Sequence, residues 1–286
     1  MNLIDAIVQG ILLGGLYALF AAGLSLIFGV MRLVNIAHGD FIVLAAYIAM
    51  VIIQSTGMNA FASLILVVPL MAALGYVIQR FILNKTLGDD LLPPILVTFG
   101  LAVVIQNTLL TVFETNTRRL SAGPIETASV AVGPISLGVL PLLTFAVAVG
   151  LILLLEVGFF RSRIGRAFRA TSDDPATAQA IGVDTRHIFA LAMALSFAVI
   201  AVAGVLLAVR SNFDPFSGPA RLIYGFEAVI IGGLGSLWGT LAGGIVIGVS
   251  QAIGAQISPA FQTLAGHLVF FAVLAIKPRG LFPRMD

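Results

Sequence analysis

The chain contains no cysteine, and its only lysines are Lys85 and Lys277. The first absence excludes a disulfide framework, a thiolate metal site and a cysteine nucleophile. The second, with no Gly-x-x-x-x-Gly-Lys-Ser/Thr run, excludes a phosphate-binding loop, so the chain is not itself a P-loop ATPase. His-Glu-x-x-His, Gly-x-Ser-x-Gly and a pair of aspartates at membrane depth are missing too, which argues against an intramembrane enzyme. Charge is scarce: 10% of the 286 residues are charged, against about a quarter in soluble domains. Hydrophobic residues make up 59%, so water is not the main solvent. The net charge of +2 comes from scattered arginines, not a dense basic face, and gives no reason to expect nucleic acid as a partner. The residues call for no cofactor and no metal.

What is present is a series of apolar stretches, at about 6–30, 41–54, 60–83, 91–113, 139–160, 188–209, 222–237, 240–257 and 260–276. Nine spans of about 20 residues use roughly 180 positions, leaving on the order of 100 for all connections and no room for a soluble domain. The expectation is an all-α, polytopic membrane protein, one domain over 1–286, with eight or nine passes. The second and seventh stretches are short, which suits broken or re-entrant helices. The first stretch lacks the basic flank and small-residue cleavage site of a secretory signal and is kept as a permanent span.

Basic residues set the orientation. With the N-terminus outside and nine passes, only Arg118, Arg119, Arg210 and Arg221 of the 15 Lys and Arg lie outside, leaving eleven in the cytoplasm. The inverted topology would put the arginine-rich loop 161–187 on the wrong side.

The 30 glycines are organised: Gly10 and Gly14, Gly239 and Gly243, and Gly244 and Gly248 are each four apart and so share a helix face. Small residues so placed let helices pack closely in lipid. Gly232, Gly233 and Gly235 are assigned to the same packing role. Loop 161–187 contains a helix with explicit signals: Asp174 as N-cap, Pro175 at the first position, alternate alanines, and Gly182 as a left-handed stop. About seven residues long, it is marginal alone and must dock, either on its own bundle or on a soluble partner.

Several segments carry a resemblance. Gly165-Arg166-Ala167-Phe168-Arg169-Ala170, Asp173-Asp174, and Ala178 with Ala180-Ile181-Gly182-Val183-Asp184 resemble the cytoplasmic coupling segment of permeases of the branched-chain amino acid ABC transport system. Asn35-Ile36-Ala37-His38-Gly39-Asp40 resembles that family's Asn-x-Ala-His-Gly-acid signature. Ile231-Gly232-Gly233-Leu234-Gly235-Ser236, with Gly239, Gly243 and Gly244, resembles its glycine-rich signature, and Pro278-Arg279-Gly280-Leu281 its terminal Pro-x-Gly-Leu. The match spans nearly the whole chain and is nearest the shorter of the two paired permeases. It implies a multi-pass protein of a bacterial inner membrane that works with two cytoplasmic ABC ATPases, a second permease chain and an extracytoplasmic binding protein. Gly165, Arg166, Arg169, Asp173, Asp174, Ala178 and Gly182 are then the ATPase-coupling residues. One departure concerns the solute: Leu83-Asn84-Lys85-Thr86-Leu87-Gly88 stands where the family commonly has Arg-Pro-x-Arg, and the wider family includes carriers of urea, short amides and aromatic carboxylates.

Candidate pathway residues are Asn35, His38 and Gly39, beside a helix break, and Glu227, an acid inside an apolar stretch. The alternatives are a cytoplasm-facing loop in which His38 bonds a carbonyl, and an interfacial position for Glu227. Gln106 and Asn107 read as hydrogen bonds between helices. A stand-alone secondary transporter or channel is the competing function; it would want intramembrane charge pairs or an ion site.

Overall fold

The computed structural model describes residues 3–282 apart from 89, 91 and 134. Leu91, the start of the fourth apolar stretch, and Arg284, one of the eleven basic residues, lie outside the described residues. Eleven α-helices are described: α1 Leu3–Met31, α2 His38–Thr56, α3 Leu64–Phe81, α4 Leu92–Phe113, α5 Val139–Arg161, α6 Arg163–Asp173, α7 Pro175–Ala180, α8 Thr185–Arg210, α9 Gly218–Gly232, α10 Leu237–Ile257 and α11 Phe261–Ile276. All but α6 and α7 coincide with the nine apolar stretches. Seven of those nine are long and apolar enough to cross a membrane. The short ones are α9 and α11, at 15 and 16 residues, the seventh and ninth stretches; the seventh is short as expected, whereas the second, at 19 residues, is long enough to span. The second begins three residues earlier than its apolar run, at His38, because polar His38 and Asp40 are enclosed by protein.

Helix α1 is the axle of the bundle. In its apolar window 83% of residues are buried, and 78% in α8, against 28%, 22% and 28% in α3, α4 and α5. The reason lies in its small residues. A Cβ on Gly14 would stand 2.5 Å from the Cα of Ile245, and one on Gly10 2.6 Å from that of Val249. Gly244 and Gly248 press back on the carbonyls of Gly14 and Gly10, so α1 and α10 meet backbone to backbone. Along α10, Gly239 and Gly243 do the same against Gly232 and Ala228 of α9.

Gly233 and Gly235 differ from their assigned role. Both have positive φ, 106° and 80°, and form the turn that ends α9 and starts α10, where the Ser236 hydroxyl caps Gly239 N–H at 3.1 Å. A left-handed backbone cannot lie inside a helix, so the glycine-rich signature divides into packing positions and a turn.

The end of the bundle that carries most arginines is laced together. Tyr76 Oη lies 2.8 Å from His187 Nδ1, Asn84 donates to the Arg186 carbonyl at 3.0 Å, and Arg80 approaches Asp184 at 3.6 Å. Leu83–Lys85, at the departure from the family pattern, is a single 3-10 turn held by these bonds. At the opposite end a feature not foreseen appears, a hairpin of β1 Ser129–Val132 and β2 Ile135–Gly138, antiparallel with Ser129 opposite Gly138. Arg118 and Phe213 form an isolated antiparallel bridge beside it.

Candidate functional site

Between α1 and α2 the chain leaves the helix at Arg32, whose φ is 51°, and runs back into the bundle. His38 Nε2 lies 2.8 Å from the Phe20 carbonyl, so this nitrogen carries the proton and donates. Phe20 is eleven residues up α1 from Met31, about 16 Å along the axis. Helix α2 therefore starts deep in the protein, and Asn35 and His38, each 1% exposed, do not face the cytoplasm as a loop. Asn35 Oδ1 accepts from Ala37 N–H at 3.1 Å, closing the turn. Gly39 is pressed against the carbonyl of Gly218, the first residue of α9, which in turn abuts the Asp40 carboxylate. Gln106 of α4 donates to Asp40 at 2.9 Å, joining helices, whereas Asn107 donates to Val103 of its own helix. Asn35, His38 and Gly39 thus form an enclosed joint where α1, α2 and α9 meet.

Glu227 stands apart from that joint. It is 5% exposed, on α9, and His267 Nδ1 of α11 donates to its Oε1 in a short hydrogen bond. The Tyr224 ring, one turn earlier, lies nearly parallel to His267, with centroids 6.2 Å apart, and stacks on Tyr17 of α1 at 4.9 Å. The Tyr17 hydroxyl donates to Gln251 Oε1 of α10 at 2.6 Å. Four helices thus contribute to one polar cluster inside an apolar bundle. Of its members Glu227 alone is a candidate from the sequence. Tyr224 and Glu227 are three apart on one helix face, and His267 is an imidazole within an apolar stretch, signals that were there to be read.

Segment 161–187 holds two helices, not one. Ser162 Oγ accepts from Gly165 N–H at 2.8 Å and starts α6, whose buried residues Gly165, Phe168 and Thr171 recur every third position while Arg166 and Asp173 are exposed. Asp174 then caps α7, accepting from Ala176 and Thr177 N–H at 3.0 Å each and from the Thr177 hydroxyl at 2.5 Å. These bonds, the Thr177 hydroxyl first, hold its carboxyl below the usual aspartate value. Gly182 has φ 92° and open space where a side chain would be. Gly165 and Ala178 are buried and serve packing on this chain's own bundle, Arg169 is half-buried, and Arg166, Asp173, Asp174 and Gly182 are exposed. Asp184 caps α8 by accepting from His187 N–H at 3.0 Å.

Residues 6–276 match the family described as branched-chain amino acid transport system / permease component. The high-affinity branched-chain amino acid transport system permease protein BraD of Pseudomonas aeruginosa is 27% identical, the match covering 99% of this chain and 96% of that protein. A probable branched-chain amino acid transport permease protein LivH of Methanocaldococcus jannaschii is 30% identical over 93% of this chain and 85% of its own length. The permease protein LivM of Escherichia coli is 24% identical over 94% of this chain and 68% of its own. With seven described helices long and apolar enough to cross a membrane, the glycine-lined α1 among them, and a match that runs almost end to end, the chain belongs to the family of branched-chain amino acid transport permeases and is a multi-pass membrane protein.

Proposed function

We propose that the chain is the permease subunit of an ABC importer for leucine, isoleucine and valine, or a related small polar or carboxylate solute. It is driven by two separate cytoplasmic ATPases, paired with a second permease chain, and supplied by an extracytoplasmic binding protein. The observation that carries this reading is the α6–α7 segment. It is polar and exposed on one side, packed on the bundle on the other, and lies at the arginine-rich end that the positive-inside rule puts in the cytoplasm. Such a segment passes motion from a soluble engine to the spans. Similarity to both a LivH and a LivM supports pairing of two related chains. The names of the relatives support branched-chain amino acids, while the Asn84–Lys85 turn marks where this chain differs from the common pattern.

The test is uptake into vesicles containing the chain, its partner permease and the ATPases, with labelled leucine on the binding protein. ATP-dependent uptake that persists when ion gradients are collapsed is the expected result. Uptake that follows an ion gradient and ignores ATP would establish the secondary-transporter alternative, and competition by urea or an aromatic carboxylate would reassign the solute.

A further inference from the structure

At membrane depth a polar side chain that the protein leaves open must meet water or a polar partner, because lipid cannot solvate it. The outer faces of α3, α4 and α5 meet lipid's requirement, with Ile65, Leu70, Leu96, Val104 and Leu154 among their exposed residues. The face of α9 next to α11 does not. Arg221, Tyr224 and Glu227 follow one another at three-residue intervals and so form one ridge along α9. Arg221, Tyr224 and His267 are partly open in the single chain. Arg221 stands at the outer end of the ridge, its guanidinium 3.5 Å from the Asn212 carbonyl. At the other end of the ridge, Glu227 Oε2 is buried with no hydrogen-bond partner, an acceptor awaiting a donor.

We propose that this ridge is a binding site for an α-amino acid zwitterion on the wall of the transport pathway. The carboxylate sits at Arg221, and the ammonium reaches the unpartnered oxygen of Glu227. The proposal rests on the reading of the chain as an amino acid permease and adds the atoms that would recognise the solute. Its geometry suits the ligand. Arg221 and Glu227 are six residues apart, about 9 Å along the axis, and both side chains can lean toward Tyr224 between them. An α-amino acid carries its two charges on groups bonded to a single carbon, so one ligand can be bracketed by both. Guanidinium pairs well with carboxylate, and an ammonium donates well to a carboxylate oxygen. Ile223, 48% exposed beside Glu227 on the helix, offers an apolar surface to a branched side chain.

The experiment uses the assembled importer in vesicles with leucine-loaded binding protein. Glu227→Gln and Arg221→Gln each lower the saturated uptake rate about ten- to a hundredfold, as expected for the loss of one charge-assisted hydrogen bond. Stimulation of ATP hydrolysis by the loaded binding protein remains, and Glu227→Asp and Arg221→Lys recover part of the uptake. Accessibility is tested with the charges intact. Ile223→Cys, in this cysteine-free chain, reacts with a water-soluble cationic methanethiosulfonate, whereas Val104→Cys on α4 does not. Full uptake in both charge variants, or an inert Ile223→Cys in the assembled complex, overturns the site. Absence of leucine, isoleucine and valine uptake by the unsubstituted importer would instead refute the amino acid permease reading, and the Ile223→Cys reaction would still judge whether the ridge faces water.

Discussion

The Ser172 hydroxyl of α6 donates to the Gly29 carbonyl of α1 at 2.6 Å, across 143 residues of sequence. It joins the exposed segment to the last turn of the bundle's central helix, so a push on α6 reaches α1 directly. Ser172→Ala leaves the fold intact and removes this tie. The expected outcome is ATP hydrolysis near the unsubstituted rate with uptake reduced several-fold, measured together in the same vesicles. Equal loss of both activities would assign Ser172 to folding.

The backbone contact between α1 and α10 leaves no space at Gly14. Gly14→Val forces the helices apart, and overpacking of this kind costs about 1–3 kcal/mol. Thermal unfolding in detergent should shift down clearly. Gly100→Val on α4, where nothing lies within 4 Å, should leave the transition almost unchanged.

The α7 cap is sensitive to acid. Because hydrogen bonds to the carboxylate, the Thr177 hydroxyl first, lower the Asp174 pKa in the folded state, its stabilisation is complete above the ordinary aspartate value and is lost as pH falls through the folded one. Hydrogen exchange over 175–183 should be flat near neutrality and quicken in acid. Asp174→Asn, which still caps, should flatten that acid response.

The tail closes the end of α9. Leu281 and Phe282 N–H donate to the Ile231 and Gly232 carbonyls at 2.8 and 2.9 Å, and Gly280, at φ 82°, would place a Cβ 2.5 Å from Gly233 N. Gly280→Val should dislodge the tail and leave carbonyls unpaired, at about 1–3 kcal/mol for each that stays buried. The readout is faster exchange over 277–282 with a lower unfolding temperature.

Orientation is open to labelling, since no native thiol interferes. Gln179→Cys on α7 and Thr127→Cys in the connection between α4 and α5 both replace exposed residues, at opposite ends. In intact cells an impermeant thiol reagent should modify Thr127→Cys and spare Gln179→Cys. The reverse pattern would invert the topology.

The amino-acid sequence by itself determined which stretches become membrane helices, because apolar length is a local property that lipid reads directly. It also determined the α7 start at Asp174, the stop at Gly182 and the four-residue glycine faces, since caps and small-residue spacing act within a turn or two of backbone. What it left open was which face of each helix meets protein. In spans that are apolar all round, hydrophobic periodicity does not separate a core face from a lipid face, so the burial of α1 became visible only when the helices were packed. The same limit hid the polar cluster. Tyr17, Gln251 and His267 lie in separate apolar runs, and tertiary packing alone brings them to Tyr224 and Glu227. It likewise carried His38 from a loop after α1 to the middle of the protein, because its ring finds at Phe20 the partner that a buried imidazole requires.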